Sequence, residues 1–489
     1  MPVTSVSAPA GTRTGRIVGV LALAVFMSSL DLFIVNLAFP YIERQYPTSL
    51  GSLSWVLNAY TIVFAAILVP AGRWADRVGR RKVFLLGLGG FGAGSLLCGL
   101  APGVATLIAA RVIQAGGAGL MVPASLSLLL ASVPAARRAA AIGTWSAFGA
   151  LGAAVGPVVG GLLVQADWRW VFWINLPVAL VTIILAVRWV RESRDEQAAR
   201  RPDLGGAALL AVSVGLVALA LVRAPAWGWA SPRFLGMLAA ALAAGTAMVL
   251  RSRAHHSPVI ELSLLRSRGF GGAFAASVLY YAAFGAFVLN AVEFLTGMWH
   301  YSAVRAGLAI APGPLMVLPF ARLAAPLAMR LRGPGRVAVI GCVLNAAGML
   351  LWFNRMQSEP AYLTHLLPAQ LIMGAGVGLT VPSLLGAGSA ALPPARFGTG
   401  SGVLNMARQI GTVLGVAALV AILSGSGDPL AAFRHGVLLT TGLFASAGLI
   451  AAALLGLRPS RPAALPSQVT NPDHEIALVG GGRPADHGG

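Results

Sequence analysis

Gly72-Arg73-Trp74-Ala75-Asp76-Arg77-Val78-Gly79-Arg80-Arg81-Lys82 joins two apolar runs, 51–71 and 83–101. Each run is long enough to cross a bilayer as a helix. The joining segment carries five bases, one acid and two glycines. Gly79 permits a tight turn. Asp76 can pair with a neighbouring Arg or meet a helix N-terminus, where negative charge is favoured. Positive charge beside a membrane accounts for Arg77, Arg80 and their neighbours. It does not account for Gly72, Asp76 and Gly79 at that spacing.

The same apolar signal recurs from end to end. The chain has 489 residues, 57% hydrophobic and 10% charged, where a soluble chain has about 25% charged. Fourteen spans are read: 17–39, 51–71, 83–101, 104–132, 140–165, 169–190, 204–223, 233–250, 270–297, 305–327, 336–354, 363–389, 400–423 and 434–456. The class is an all-α integral membrane protein; the short alternating strands of a membrane barrel are not seen. The reading divides the chain into an N-tail (1–16), a six-helix unit (17–190) and a linker with two extra helices (191–269). A second six-helix unit (270–457) and a disordered polar C-tail (458–489) follow. Segment 258–266 reads as a short amphipathic stretch along the inner interface.

The net charge is +20. With the N-terminus inside, 25 of the 35 Lys and Arg fall in inner segments, 7 in outer loops and 3 within helices. That bias sets orientation and places both termini in the cytoplasm of a cell with the protein in its cytoplasmic membrane. The bases are dispersed among short loops, which argues against a nucleic-acid partner. Cys98 and Cys342 both lie in spans and read as packing residues. His255-His256 lack nearby co-ligands, so no metal is expected. No Gly-Lys-Ser/Thr phosphate loop occurs, so ATP is not the expected energy source. No catalytic cluster is visible, and the chain is not expected to be an enzyme.

Polar residues inside apolar spans are functional candidates. Asp31, in Leu30-Asp31-Leu32-Phe33-Ile34-Val35-Asn36, and Glu293, in the ninth span, are two acids that stand alone inside apolar spans. Arg111 and Gln114 lie one turn apart in the fourth. In the fifth, Gly152, Gly156 and Gly160 recur every four residues beside Pro157 and Gly161, a strip that lets a neighbour approach closely. Asn405, Arg408, Gln409 and Thr412 form a polar stripe in the thirteenth. Asn290 shares a face with Glu293, and Tyr280, Phe284 and Phe287 lie on an adjacent one. Aromatics beside a carboxylate suit an amphipathic cation.

The 72–82 segment resembles the cytoplasmic loop signature of the major facilitator superfamily. Gly156-Pro157-Val158-Val159-Gly160-Gly161 resembles the antiporter motif of its exporters. With Trp168-Arg169-Trp170-Val171-Phe172-Trp173-Ile174-Asn175-Leu176-Pro177, Trp55, Tyr60, the Asp31 run and the 402–411 run, the chain resembles the fourteen-helix drug:proton antiporter family over residues 17–456. The resemblance implies two six-helix bundles around a central cavity, plus two extra central helices, working by alternating access. It implies Asp31 as proton carrier and links Arg111 of the fourth span to proton transfer. Proton and cationic substrate are expected to compete for the Asp31 carboxylate. Asn290, Glu293, Tyr280, Phe284, Phe287, Asn405, Arg408 and Gln409 are the expected substrate residues. The expected activity is efflux of hydrophobic or cationic drugs or antibiotics, driven by the proton gradient without a cofactor, by a monomer. The alternative is a same-fold exporter of one endogenous metabolite, siderophore or lipid. The chain departs from the pattern at Phe33, where a small hydroxyl residue is usual. It departs also at Glu293, at Arg322 and in 325–333, which lacks the acid of the first-half signature.

Overall fold

Fourteen helices long and apolar enough to cross a membrane run through the computed structural model. It describes residues 10–134, 137–194, 202–392, 397–425 and 427–456. The first six are α1 (Thr14–Gln45), α2 (Leu50–Val78), α3 (Arg80–Gly99), α4 (Val104–Ser132), α5 (Ala141–Ala166) and α6 (Trp170–Trp189). Next come α7 (Leu204–Trp227) and α8 (Pro232–Ala254). The last six are α9 (Arg268–Met298), α10 (Ala303–Arg330), α11 (Pro334–Arg355), α12 (Tyr362–Ala390), α13 (Gly400–Gly425) and α14 (Pro429–Leu455). Among the described residues there is no strand. The expected tail 458–489, residues 1–9 of the expected N-tail and residues 195–201 lie outside the described residues.

Helices are the solution here because lipid offers no partner for backbone N–H and C=O groups. The connections are short, so exposed helix starts are capped locally. Ser49, Ser231, Ser267 and Ser302 accept from the backbone N–H three residues on. Asp203 does the same for Gly206, and Asp428 accepts from Leu430, two residues on. Such caps replace hydrogen bonds that the first turn cannot make internally. α1 outruns its expected end at 39. A tight 3₁₀ turn at Val35–Ala38 hands over to Pro40, which is suited to a helix start, and the helix continues to Gln45.

The 72–82 segment, expected as a loop, is helical except at one corner. α2 runs to Val78, Gly79 turns at φ +129°, and Arg80 opens α3. A side chain at Gly79 would sit 2.8 Å from Glu192 Cδ. Glu192 is there because it accepts from the Arg81 and Lys82 backbone N–H groups at 2.9 and 3.1 Å. Asp76 pairs with Arg80 at 2.7 Å, one turn on. Arg77 is exposed. Gly72 passes Pro123 of α4 at ordinary contact distance.

Helices α1 to α6 pack on one another: α1 on α5, α4 and α6, and α3 on α4. In the second half, α9 packs on α12, α13 and α14, and α11 on α12 and α14. α2 meets α13 across the middle, and α7 covers that seam from outside. α8 packs mainly on α7. The 258–266 segment is two-sided, with Ser263 and Arg266 exposed. Val259, Ile260 and Leu264 are buried. Arg73 ties the segment to α2, donating to Ser257 Oγ, the Pro258 carbonyl and Glu261 Oε1 at 2.7, 2.8 and 3.1 Å.

The two halves touch unevenly. At the end of the molecule carrying Trp168, α5 meets α10: a side chain added at Gly161 would lie 2.5 Å from the Ala303 carbonyl, and Gly307 abuts the Pro157 carbonyl. Towards the Gly79 end the same faces are exposed, at Gly143, Ser146 and Ala147 on α5 and at Leu315, Leu318, Arg322 and Ala325 on α10. The halves therefore part on this side towards the Gly79 end. α2 and α13 stay together along their length, from Gly51 beside Val420 to Val69 beside Gly402.

Gly79→Val should lower the melting temperature of the purified protein, by an amount matching about 1–3 kcal/mol for a branched side chain held at that φ. An unchanged melting curve would mean that the corner relaxes freely.

Candidate functional site

Asp31 is not solitary, as the sequence suggested. It is fully buried inside the first bundle and forms an ion pair with Arg111, itself fully buried. Gln114 Nε2 donates to Asp31 Oδ1 at 2.8 Å and to Ser95 Oγ at 2.7 Å. Asn175 Nδ2 donates to the same Asp31 oxygen at 3.1 Å. Arg111 also donates to Gln114 Oε1 at 2.6 Å and, through Nε, to the Val56 carbonyl at 3.0 Å. The Tyr60 ring lies over the guanidinium at 4.1 Å, and the Phe172 ring at 5.7 Å. Five helices thus converge on one carboxylate. Arg111 bonds a facing carbonyl and pairs with the acid at once.

Ser95 and Asn175 were not read as site residues. Each is a rare neutral polar side chain in its apolar span, and that was the available signal. Asn175 was grouped with the interfacial aromatics around it, because a period of 3.6 turns one residue of such a run inward while its neighbours face out.

Arg111 cannot lose its proton in a protein. The pair is therefore neutral as a whole only while Asp31 is ionised. Desolvating two charges is expensive, and the pair holds because Gln114 and Asn175 donate to Asp31, the Val56 and Gln114 oxygens accept from Arg111, and two rings lie over the guanidinium.

The glycine strip of α5 is the bed on which α1 lies. A side chain at Gly152 would come 2.5 Å from the Phe26 carbonyl, one at Gly156 3.0 Å from Phe33 Cβ, and one at Gly160 2.7 Å from Ile34 Cγ1. These contacts bracket Asp31. The adjoining Pro157 and Gly161 meet α10 of the other half. One run of α5 therefore grips the helix that bears the carboxylate and closes the Trp168 end.

A central cavity lies between the halves, lined by Leu32, Phe33, Asn36, Asn58, Tyr281, Phe284, Arg408 and Thr412 among others. Its free volume is about 40 Å³, room for a few waters. Drug-sized pockets have about 300–1,000 Å³. This conformation is contracted, and the Phe33 ring is one reason: it meets Phe284 edge-on across the cavity at 6.2 Å. Asp31 does not line the cavity. It points to the opposite side of α1 from Leu32 and Phe33. A shared proton and substrate pocket at Asp31, as expected from the sequence, is therefore not what the fold builds.

The expected substrate residues divide. Phe284 and Arg408 line the cavity. Tyr280, Phe287 and Asn290 do not, because α9 turns that face into the second bundle; Glu293 is outside the lining too, with Glu43 of α1 as its charged neighbour. Tyr280 is buried against Phe444 and lies 3.5 Å from Asn345 Nδ2. Phe287 stacks edge-on against Trp352. Asn290 donates to the Phe433 carbonyl at 3.3 Å. Glu293 Oε1 is buried without a hydrogen-bond partner. The tyrosine that faces the cavity is Tyr281, one residue on from Tyr280. On α13, Arg408 and Thr412 face the cavity, Gln409 is buried and Asn405 is half-buried outside it.

Residues 21–416 match the family model described as Major Facilitator Superfamily. The chain is 32% identical to the methylenomycin A resistance protein of Streptomyces coelicolor, over 94% of this chain and 96% of that one. It is 34% identical to the multidrug resistance protein Stp of Mycobacterium tuberculosis, over 82% and 74%. It is also 34% identical to the puromycin resistance protein pur8 of Streptomyces alboniger, over 83% and 81%. A solved peptide transporter POT in complex with sulfate superposes with a TM-score of 0.65 over 91% of this chain and 98% of that one. At 17% identity, that likeness concerns the fold alone.

Arg111→Met should destabilise the protein by about 3–5 kcal/mol, because it strands the Asp31 charge. Arg111→Met combined with Asp31→Asn should melt closer to wild type than Arg111→Met alone. A double variant as unstable as the single one would show that Arg111 acts through packing and not through the pair.

Proposed function

The chain belongs to the major facilitator superfamily, and on that premise we propose that it exports hydrophobic drugs or antibiotics in exchange for protons. The Asp31–Arg111 pair behind α1 carries this reading. A buried carboxylate whose partner cannot deprotonate has two states that differ by one charge, and only one of them pairs. Protonation of Asp31 frees Arg111, and the hydrogen bonds from Gln114 and Asn175 lose their ionised acceptor. α1 then sits differently in the glycine groove of α5. α5 also forms the contact with α10 at the Trp168 end, so a shift of α1 reaches the gate through one rigid helix.

The excess of bases at the Gly79 end supports a cytoplasmic location for that end and for both termini. The contracted cavity then opens towards the cytoplasm, where an exporter collects its substrate. The cycle needs no cofactor. One proton entering down 150 mV releases roughly 3.5 kcal/mol, enough for a substrate gradient of about several hundred-fold. The protein would work as a monomer in the lipid of the cytoplasmic membrane, since each subunit holds a complete cavity. The aliphatic and aromatic lining suits hydrophobic substrates. The cationic part of the sequence reading rested on Glu293, which lies outside the cavity lining. Several relatives are named for resistance to antibiotics, and one is named a multidrug resistance protein. The small cavity favours, as a second reading, export of one endogenous product, and a resistance spectrum separates the two.

Asp31→Asn should fold and insert yet fail to couple. In everted vesicles energised to carry protons inward, a neutral fluorescent hydrophobic substrate such as N-phenyl-1-naphthylamine should accumulate with wild type and not with Asp31→Asn. Equal proton-driven accumulation by the two would remove Asp31 from the mechanism.

A further inference from the structure

We propose that the central cavity selects amphipathic organic anions, with Arg408 as the counter-charge to a carboxylate or similar acidic group. This deepens the export reading and depends on it.

Arg408 is the charged side chain among the residues that line the cavity. It has no carboxylate within ion-pair distance among the described residues. Its contact is the Tyr281 ring, 5.3 Å from the guanidinium carbon. A guanidinium half-buried in a membrane span is costly to leave unpaired, which by default marks it as functional. Its charge is permanent, and its planar fork matches a carboxylate with two parallel N–H donors.

The neutral polar groups agree. Asn36 Nδ2 donates to the Leu32 carbonyl at 3.1 Å, Thr61 Oγ1 to Leu57 at 2.8 Å and Thr412 Oγ1 to Arg408 at 3.0 Å. Each bonds its own helix four residues back; the two threonine hydroxyls spend their one hydrogen there, and Asn36 spends one of its two. Asn58 is different. It is 1% exposed and its Nδ2 has no hydrogen-bond partner. The donors left over in the cavity include Arg408 and Asn58, one on each half of the molecule. An acidic group between them would engage both halves as they close.

The acids do not offset this. Asp31 lies behind α1 and is neutralised by Arg111. Glu293 lies outside the cavity lining. On the route from the Gly79 end, the exposed Arg322 adds a second positive charge. It lies eighteen residues beyond Val304, which in a helix is five whole turns and so the same face, the face that meets α5. A cation entering by this path meets two guanidiniums. An anion meets a counter-charge at its end and an aromatic wall of Tyr281, Phe284 and Phe33 beside it.

The test uses three probes on one scaffold: 1-naphthaleneacetate, its neutral primary amide, and 1-naphthylmethylammonium. Binding to the purified full-length protein is measured by calorimetry at neutral pH, with no proton gradient. Wild type should bind the acetate about tenfold more tightly than the amide, and the ammonium more weakly still. Arg408→Gln should bring the acetate down to the level of the amide, and Arg408→Lys should restore part of the preference. Equal affinities in wild type would overturn the proposal, as would a preference that survives in Arg408→Gln or no binding of any probe at millimolar concentration. If Arg408→Gln does not fold, the wild-type comparison alone decides. Because the assay needs no transport, anion preference without proton-driven export would refute the export reading and leave this one standing.

Discussion

A buried carboxylate and a buried guanidinium, one helix apart, set the terms for the first half of this protein. Neither charge is tolerable there alone, and removing either strands the other. The surrounding residues follow from that constraint. Gln114 and Asn175 share one oxygen of Asp31, Ser95 holds Gln114, and Tyr60 covers the guanidinium with its ring face. The five helices that supply these groups cannot slide independently while the pair is intact.

The pair lies on the far side of α1 from the cavity, so in the proposed mechanism proton and substrate would meet different faces of one helix. On this account coupling runs through the position of α1. The glycines of α5 make that position shallow and closely defined: with no side chains between the helices, backbone meets backbone beside Phe26, Leu30 and Ile34. The same stretch of α5 touches α10 at Pro157 and Gly161, where the halves are closed. The cavity between them is too small for a drug in this conformation. Substrate binding therefore requires the halves to separate further, and the Phe33–Phe284 contact to break.

Much of this was legible in the sequence. Apolar run length gave the helix number, because the thickness of a bilayer leaves little freedom. Asp31 and Arg111 announced themselves as charges in apolar spans, and the glycine strip by its period of four. What the sequence did not yield was direction. Asp31 was read as solitary and open to substrate, whereas its partner comes from a helix eighty residues away. On α9, a shift of one residue separates Tyr281, at the cavity, from Tyr280, in the core, and an aromatic-rich helix offers no polar face to fix its rotation. Glu293 drew attention as a charge, but charge alone does not tell a cavity face from an internal one. For the amphipathic 258–266 segment the sequence did not give the anchor, because Arg73, which ties it to α2, lies far off in the chain.

The central claim is that protonation of Asp31 changes how α5 and α10 sit against each other. It is tested most directly by pulsed electron–electron distance measurement between spin labels at Ser146→Cys and Leu318→Cys, both exposed on the parting faces. The native Cys98 and Cys342 are buried and free, and both would be replaced by Ala. The account predicts a distance distribution that shifts between alkaline and acidic pH in otherwise wild-type protein, and that stays fixed at the acidic-pH distribution at every pH when Asp31→Asn is added. A pH-dependent shift that persists unchanged in the Asp31→Asn protein would contradict it.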